Sequence, residues 1–190
     1  MQFFVYHYRI GEFGDIMEWK NSEFGEIGDQ LVLPLFEGVE KPPNNSLSGL
    51  NRSQRTLVRE AIASDDFEGK KGQRMAVWNP DCRVLLVGMG EKGEFGHGKA
   101  RNIGARVMGG LSKKKRLSVT VRFTSGWSSE RMVDFAEGMM LRDYEFLEHQ
   151  KVGDDHIAEP WRVDFQASAR HQESLVENLG RVRSVVGGVH

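Results

Sequence analysis

The sequence predicts an α/β domain in which helices cover both faces of a mixed β-sheet. Segments with strand patterns alternate with segments of helical spacing over most of the 190 residues, an order that is typical of α/β domains. In addition, the stretch from Arg83 to Gly88 is a short, continuous apolar run that ends in glycine. Such a run is typical of a strand buried on both faces. We therefore expect this strand to lie at the centre of the sheet.

Three segments at the start of the chain predict strands. Residues 3–8 are rich in aromatic and β-branched side chains and predict an opening strand. A short strand is expected near residues 16–19, between irregular segments. Residues 29–36 predict a second buried strand, in which Pro34 indicates an edge position or an early end to pairing. The glycine, proline and asparagine residues of 37–50 then predict a loop.

A helix and a β-hairpin follow the loop. The helix is expected to begin with Asn51 or Ser53 as its N-cap. Its apolar stripe comprises Leu57, Val58, Ala61 and Ile62. Residues 74–78 predict a strand, and the turn residues 79–81 connect it to the buried apolar run as a hairpin.

The second half of the chain predicts three helices and two strands. The first of these helices starts near His97, and Gly104 within it allows close packing on the sheet. Residues 117–123 predict a strand with one buried face, because Val119, Val121 and Phe123 alternate with Ser118, Thr120 and Arg122. A long helix begins at Ser128 or Ser129. A strand at 161–165 and a last helix complete the domain, and the apolar positions of that helix are Leu175, Val176, Leu179, Val182 and Val186.

A glycine-rich loop after the buried apolar run is the candidate anion-binding site. The segment of strand, loop and helix can present backbone N–H groups and a helix N-terminus to an anion. Its candidate residues are Gly88, Gly90, Lys92, Gly93 and Gly96. The spacing matches neither GxGxxG nor GxxxxGK[ST], so a surface turn between strand and helix is the alternative interpretation.

Composition limits the class of protein. The 26 basic and 27 acidic residues give a net charge of -1, so no general field attracts nucleic acid or an anionic membrane, and neither is expected as a partner. The basic run 113–116 is interpreted as a solvated helix end. The single cysteine, Cys82, is expected to be a packed residue. No signal peptide or membrane-length apolar run is present, so we expect a soluble, cytoplasmic, single-domain protein spanning residues 1–190.

The sequence offers no set of catalytic or metal-binding residues. The six histidines never occur as HxH, as HExxH or beside a cysteine pair. The closest approach to a ligand cluster is interpreted as solvated surface and comprises His149, Asp154, Asp155 and His156. A second charged cluster is expected to be exposed and comprises Asp65, Asp66, Glu68, Lys70 and Lys71. We therefore expect no catalytic residue, no metal ligand and no cofactor in this chain.

Three phrases, taken in order, resemble the N-terminal domain of the leucyl aminopeptidases, the M17 or cytosol aminopeptidase family. They are FEGK at 67–70, VGMG at 87–90 and AEGMMLRDY at 136–144. The resemblance covers residues 29–151 and implies a three-layer, macro-domain-like fold. It also implies that residues 170–186 form a helix that connects to a catalytic domain. The family's two divalent metals, zinc or manganese, lie in that second domain, whose phrases NTDAEGR and GKGxTFDSGG do not occur here.

Three functional hypotheses follow from the sequence. The leading one is a non-catalytic N-terminal domain that acts in interdomain packing, oligomer assembly or regulation, with the peptidase domain and further copies as partners. It predicts an apolar patch on the last helix and at a sheet edge. The alternative is a macro-like module that binds ADP-ribose or a nucleotide phosphate at the glycine loop. The third is a free-standing aminopeptidase with a site that lacks the family's phrases.

Overall fold

The described part of the chain forms seven strands and four helices. The computed structural model describes residues 5–6, 17–43, 45–64, 66–78, 82–111, 118–148 and 161–187. The strands are β1 (Val5–Tyr6), β2 (Met17–Ser22), β3 (Gln30–Leu35), β4 (Arg74–Val77), β5 (Arg83–Gly88), β6 (Ser118–Arg122) and β7 (Trp161–Gln166). The helices are α1 (Arg52–Ala63), α2 (His97–Gly110), α3 (Ser129–Glu148) and α4 (Ala169–Gly187), and a 3-10 turn spans Lys92–Glu94.

All strands belong to one mixed sheet with the order β1-β2-β7-β6-β3-β5-β4. The five inner strands are parallel, and the two outer strands are antiparallel to their neighbours. The predicted hairpin is confirmed by the antiparallel pairing of β4 with β5. The central position predicted for β5 is wrong, because β6 occupies the middle and β5 lies next to the outer strand. Residues of β5 are buried because layers cover both faces of the sheet.

Helices cover both faces, which confirms the predicted three-layer class. Val32 of β3 packs in one apolar cluster with residues of α2, α3 and α4. Its neighbours Leu31 and Leu33 pack in a second cluster with residues of α1. Because successive side chains of a strand point to opposite faces, these two clusters lie on opposite sides of the sheet. Cys82 is buried in the second cluster, as predicted.

Pro34 lies in an inner strand, so the predicted edge position is wrong. The predicted early end of pairing is confirmed on the β6 side only, because pairing with β5 continues to Leu35. The Leu35 carbonyl accepts a hydrogen bond from Met89 N–H at 2.9 Å on the β5 side. Pro34, one residue earlier, therefore directs its backbone toward β6. The β3–β6 register ends at the pair Val32 and Val121. No N–H is therefore needed at Pro34, and the register of β3 with β6 does not continue beyond this pair.

The helix boundaries agree with their sequence signals. Asn51 is the N-cap of α1 and forms a capping box with Gln54. Ser128 accepts a hydrogen bond from Arg131 N–H at the start of α3. Of the apolar stripe predicted for α1, three residues are buried, whereas Leu57 is 37% exposed.

Some sequence predictions fall outside the described residues. These are the turn at 79–81, the basic run 113–116 and the polar segment 149–160. None of the helices in the described part of the chain is long and apolar enough to cross a membrane.

Candidate functional site

The glycines of the first half of the candidate loop serve backbone packing. The Gly88 N–H donates to the Gln73 carbonyl at 2.7 Å, and the Gly90 N–H donates to the Gly69 carbonyl at 2.9 Å. A Cβ atom on Gly88 would lie 2.0 Å from the Lys70 carbonyl oxygen, which no side chain permits. The FEGK and VGMG phrases therefore lie against each other, and the N–H groups of Gly88 and Gly90 are already bonded within the protein.

A third segment joins this contact from the end of β3. The Glu37 N–H donates to the Gly90 carbonyl at 3.0 Å, and the Gly38 N–H donates to the Glu68 carbonyl at 3.1 Å. A Cβ on Gly69 would lie 2.5 Å from the Phe36 carbonyl oxygen. Three chain segments thus meet with their backbones in contact at the carboxyl ends of β3 and β5.

Gln73 occupies a nest of backbone N–H groups in the FEGK phrase. Its side-chain Oε1 accepts hydrogen bonds from the N–H groups of Glu68 and Gly69 at 3.0 Å and of Lys70 at 3.2 Å. Its Nε2 donates to the Asp66 carbonyl at 2.9 Å. Such a nest would otherwise suit an anion. Because the amide oxygen of Gln73 satisfies the donors, the nest functions as an internal clamp.

Replacing Gln73 with alanine is expected to lower the free energy of unfolding by about 1–3 kcal/mol, because three N–H donors lose one shared acceptor. The matched control is Lys71→Ala, an exposed neighbour that is expected to change stability by less than about 0.5 kcal/mol. Urea denaturation of both variants measures the difference. Equal stability of the two variants would contradict the clamp.

The charged residues around FEGK are exposed, as predicted for those that are described. Lys70 forms a surface ion pair with Glu68, with 2.7 Å between Nζ and Oε2. The hydrogen bond and charge of Glu68 raise the pKa of Lys70. Ser64 donates a hydrogen bond to the Asp66 carboxylate at 3.0 Å. Exposed pairs of this kind contribute little to stability and provide no enclosed acid or base.

The second half of the candidate loop is open. Gly93 and Gly96 are exposed, and a Cβ atom added to either would have no neighbouring atom within 4 Å. Gly96 is the N-cap of α2 and provides no side-chain cap for the helix. The Lys92 side chain lies over Gly126, with Nζ 3.3 Å from the Cβ position of that glycine. The candidate loop therefore divides into a bonded part and an accessible part that contains Lys92.

The third family-like phrase lies where α2 crosses α3. A Cβ on Gly138 would lie 2.0 Å from the Arg101 carbonyl oxygen, and a Cβ on Gly104 would lie 2.0 Å from the Phe135 carbonyl oxygen. Each helix thus uses a glycine to admit the backbone of the other. Gly104 was predicted to allow packing on the sheet; the close contact is instead with α3.

One cluster of acidic and histidine side chains lies near this crossing. His97 Nδ1 is 2.5 Å from an oxygen of Asp134. The Arg101 guanidinium lies 3.6 Å from the other Asp134 oxygen and 2.7 Å from a Glu137 oxygen. The positive charge of Arg101 therefore already balances the carboxylates of Asp134 and Glu137. Among the described residues, no group of three or more histidine, cysteine, aspartate or glutamate side chains fits a metal ion.

A serine and a histidine are hydrogen-bonded at the start of α3 without forming a nucleophilic pair. Ser129 Oγ lies 2.8 Å from His171 Nδ1. Arg170 Nε donates to His171 Nε2 at 3.0 Å, so the neutral imidazole carries its proton on Nδ1 and donates it to the serine. Burial and the charge of Arg170 lower the pKa of His171. In this tautomer Nδ1 donates to the serine and does not take its proton, which activation of a hydroxyl requires.

A buried polar network around Arg122, in the described part of the chain, was not predicted from the sequence. Arg122 was expected on an exposed face of β6, but its side chain is fully buried. Its guanidinium donates to Gln166 Oε1 and to the carbonyl oxygens of Gly25, Ser46 and Ser48. Burial lowers the pKa of Arg122 to about 10, so the side chain stays charged at neutral pH. The network connects two loops to the sheet. Its guanidinium donors are used within the protein, so the network serves structure.

Comparison with known proteins settles the family. The family described as the cytosol aminopeptidase family, N-terminal domain, matches residues 32–151. The chain belongs to this family. The matched residues include all three phrases, so in this N-terminal domain each phrase lies at a backbone contact or a helix crossing described above.

Relatives of this N-terminal domain are longer proteins. A probable cytosol aminopeptidase of Gloeothece citriformis is 23% identical over 167 residues, which are 85% of this chain and 34% of the relative. A probable cytosol aminopeptidase of Desulfotalea psychrophila is 28% identical over 143 residues, which are 67% of this chain and 27% of the relative. The chain thus spans about a third or less of the curated relatives that it matches.

Solved structures show the same fold for this N-terminal domain. A mutant of tomato leucine aminopeptidase aligns with a TM-score of 0.68 and 18% identity, covering 91% of this chain and 36% of that one. The bottromycin maturation enzyme BotP, in complex with Mn, aligns with a TM-score of 0.51 and 18% identity, covering 83% of this chain and 30% of that one. The described residues here offer no donor set that fits such a metal.

Proposed function

We propose that this chain is the non-catalytic N-terminal domain of a metal-dependent cytoplasmic aminopeptidase that removes N-terminal residues from peptides. The observation that carries the proposal is the match to the family's N-terminal domain over residues 32–151, together with the fraction of the relatives that it spans. In the parent enzyme, zinc or manganese bound by a separate peptidase domain would supply the chemistry.

The arrangement of side chains supports a scaffold role. The family-like phrases pack backbone against backbone, and the serine–histidine and histidine–aspartate pairs are each held by an arginine. An aminopeptidase that uses two metals needs carboxylates free to bridge them and to activate water. Asp134 and Glu137, which lie near each other, both contact Arg101. The role of the domain then lies in interdomain packing, oligomer assembly or regulation.

α4 and the outer strand β4 are the elements where this role can be examined. Residues 170–186 would connect the domain to the peptidase domain. The apolar patch expected on this helix is not present in its described side chains, because Leu175 and Leu179 are fully buried against the body of the domain. Trp78, directly after β4, is 70% exposed and is the largest exposed apolar side chain among the described residues. A sheet-edge contact through Trp78 therefore fits a partner better than α4 does.

A chimera tests the proposal. The chain alone is expected to leave leucine p-nitroanilide intact with either zinc or manganese. When it replaces the N-terminal domain of the Gloeothece citriformis relative, the chimera is expected to hydrolyse the same substrate. The reason is that the metal site would lie wholly in the other domain, while this domain would supply the packing surface.

The matched controls are the intact relative and its peptidase domain alone. Hydrolysis by the isolated chain with either metal would overturn the non-catalytic assignment. A chimera that is folded, as judged by circular dichroism, but no more active than the peptidase domain alone would overturn the packing role.

A further inference from the structure

β4 forms one end of the sheet, and one side of its backbone has no partner strand. Its sheet neighbour is β5, and no strand in the described part of the chain lies beyond it. The Gly88 N–H donates to the Gln73 carbonyl, so Gln73 directs its backbone groups toward β5. Because these groups alternate along an antiparallel strand, the N–H and C=O groups of Arg74 and Ala76 point away from β5. Those of Trp78, the next residue in this series, point the same way.

The contacts around Trp78 agree with this alternation. The register of β4 with β5 ends at Val77 and Val84, so Trp78 lies opposite Arg83. The Arg83 N–H donates to the Asp29 carbonyl at 3.0 Å, on the β3 side and away from β4. The backbone of Trp78 is therefore open on its outer side, as are those of the two other outward residues.

The side chains on the α2 face of this edge are a cation, a methyl group and an exposed indole. Ala76 packs with the apolar cluster that contains α2. Arg74 and Trp78 share its face, because strand side chains alternate. Trp78 is 70% exposed, and the Arg83 guanidinium lies 4.7 Å from the centre of its ring. Since Arg83 belongs to β5, it covers the inner side of the ring and leaves the outer side open.

This edge is complementary to itself when it is paired antiparallel about Ala76. Ala76 then meets its own copy, and Arg74 meets Trp78 of the other copy at both ends. In each of these pairs the outward N–H and C=O groups face each other and can exchange both hydrogen bonds. The Arg74 guanidinium reaches the open side of the Trp78 ring, a cation–π contact. On the α1 face, Met75 meets Val77 as an apolar cross-strand pair.

We propose that β4 pairs antiparallel with β4 of a second copy of this chain, so that two sheets join across a twofold axis at Ala76. Sheet edges are commonly protected by lysine, proline or a charge that a second strand cannot satisfy. β4 has neither lysine nor proline, and its one charge, Arg74, meets an aromatic ring. The two Arg74 residues lie about 13 Å apart along the joined strands, so like charges do not oppose each other. The inference rests on the oligomer-assembly role proposed above and names its partner.

Sedimentation of the full 190-residue chain tests the pairing. Between about 10 µM and about 1 mM protein, we expect a monomer–dimer equilibrium with a Kd of about 100 µM or lower, because a contact of one short strand is small and transient. Amide hydrogen exchange at both concentrations identifies the contact. The N–H groups of Arg74, Ala76 and Trp78 are expected to gain protection at the higher concentration. Those of Met75 and Val77 already bond to β5 and should change little.

Two substitutions act on different parts of the contact. Ala76→Pro removes an outward N–H and leaves the bonds to β5 in place, and is expected to raise the Kd about tenfold or more. Trp78→Ala removes the cation–π contact and is expected to raise the Kd about fivefold. It also keeps the test decisive if circular dichroism shows that Ala76→Pro is unfolded. Leu57→Ala is the matched control, since Leu57 is the other exposed large apolar side chain of the described residues and lies on α1; its Kd is expected to be unchanged.

A chain that stays monomeric at about 1 mM would overturn the proposal, since the expected Kd lies well below that concentration. A dimer that Trp78→Ala weakens no more than Leu57→Ala does would overturn the contact at β4, as would protection that leaves Arg74 and Ala76 unchanged. These results come from the isolated chain. A monomeric chain together with an active chimera would therefore reject the β4 pairing alone, whereas a dimeric chain with an inactive chimera would reject the packing role alone.

Discussion

Replacing Arg122 with methionine is expected to lower the free energy of unfolding by about 3–5 kcal/mol, the range found when one partner of a buried charged network is removed. Methionine fills a similar volume, so the loss would come from the polar groups. The carbonyl oxygens of Gly25, Ser46 and Ser48 would lose their donor. Asp164, which favours the charge of Arg122, would keep Lys20 as a cationic neighbour at 3.6 Å, so the loss is expected to come mainly from the carbonyl oxygens.

Arg162→Met is the matched control for this substitution. Arg162 lies on the neighbouring strand β7 and pairs in register with Ser118 of β6, but its side chain is exposed. A change at such a position is expected to stay within about 0.5 kcal/mol. Urea unfolding of the two variants and the parent measures the difference, provided that the slope of the transition is unchanged.

Hydrogen exchange separates a local effect from a global one. In the Arg122→Met variant, amides of residues 23–28 and 45–50 are expected to exchange faster than those of β3, because the guanidinium ties both loops to the sheet. If the Arg122→Met variant unfolded at the same urea concentration as the Arg162→Met variant, the network would contribute nothing to stability.

The β6 pattern shows where sequence reasoning succeeds and where it fails. Alternation correctly placed Val119 and Val121 on the apolar face of the sheet. The same pattern assigned Thr120 and Arg122 to solvent, yet both are buried. Alternation reports only which face is apolar; it does not report that a loop distant in sequence will cover the polar face. Ten polar or charged residues in the described part of the chain are buried, and Arg122 is one whose burial depends on such a loop.

The glycines show a second limit of the sequence. Their order in the FEGK, VGMG and AEGMM phrases was enough to indicate the family and a three-layer fold. Their roles depend on partners at a distance along the chain, such as Lys70 for Gly88 and Arg101 for Gly138. A glycine that admits a backbone and a glycine that frees an N–H for a ligand look the same in a sequence. Anion binding by this loop therefore stays a prediction. The geometry limits its candidate residues to the accessible part of the loop, which contains Lys92, Gly93 and Gly96.

The other large effect on stability is expected where α2 crosses α3. Gly138→Ala is expected to destabilise the domain by about 3 kcal/mol, because the new Cβ would lie 2.0 Å from the Arg101 carbonyl oxygen and force the helices apart. Intrinsic helix propensity acts in the opposite direction and favours alanine by about 1 kcal/mol. The steric cost therefore has to exceed this gain for any loss to appear.

Gly98→Ala is the matched control on α2, since no atom lies within 4 Å of its Cβ position; it is expected to stabilise the chain by up to about 1 kcal/mol. Gly104→Ala, which approaches the Phe135 carbonyl oxygen at 2.0 Å, should resemble Gly138→Ala. Once one alanine has separated the helices, the second meets less resistance, so the double variant should lose less than the sum of the single losses. Thermal and urea unfolding of all four variants would measure this coupling. Strict additivity of Gly104→Ala and Gly138→Ala, or a stabilising Gly138→Ala, would show that the two helices do not depend on glycine to approach each other.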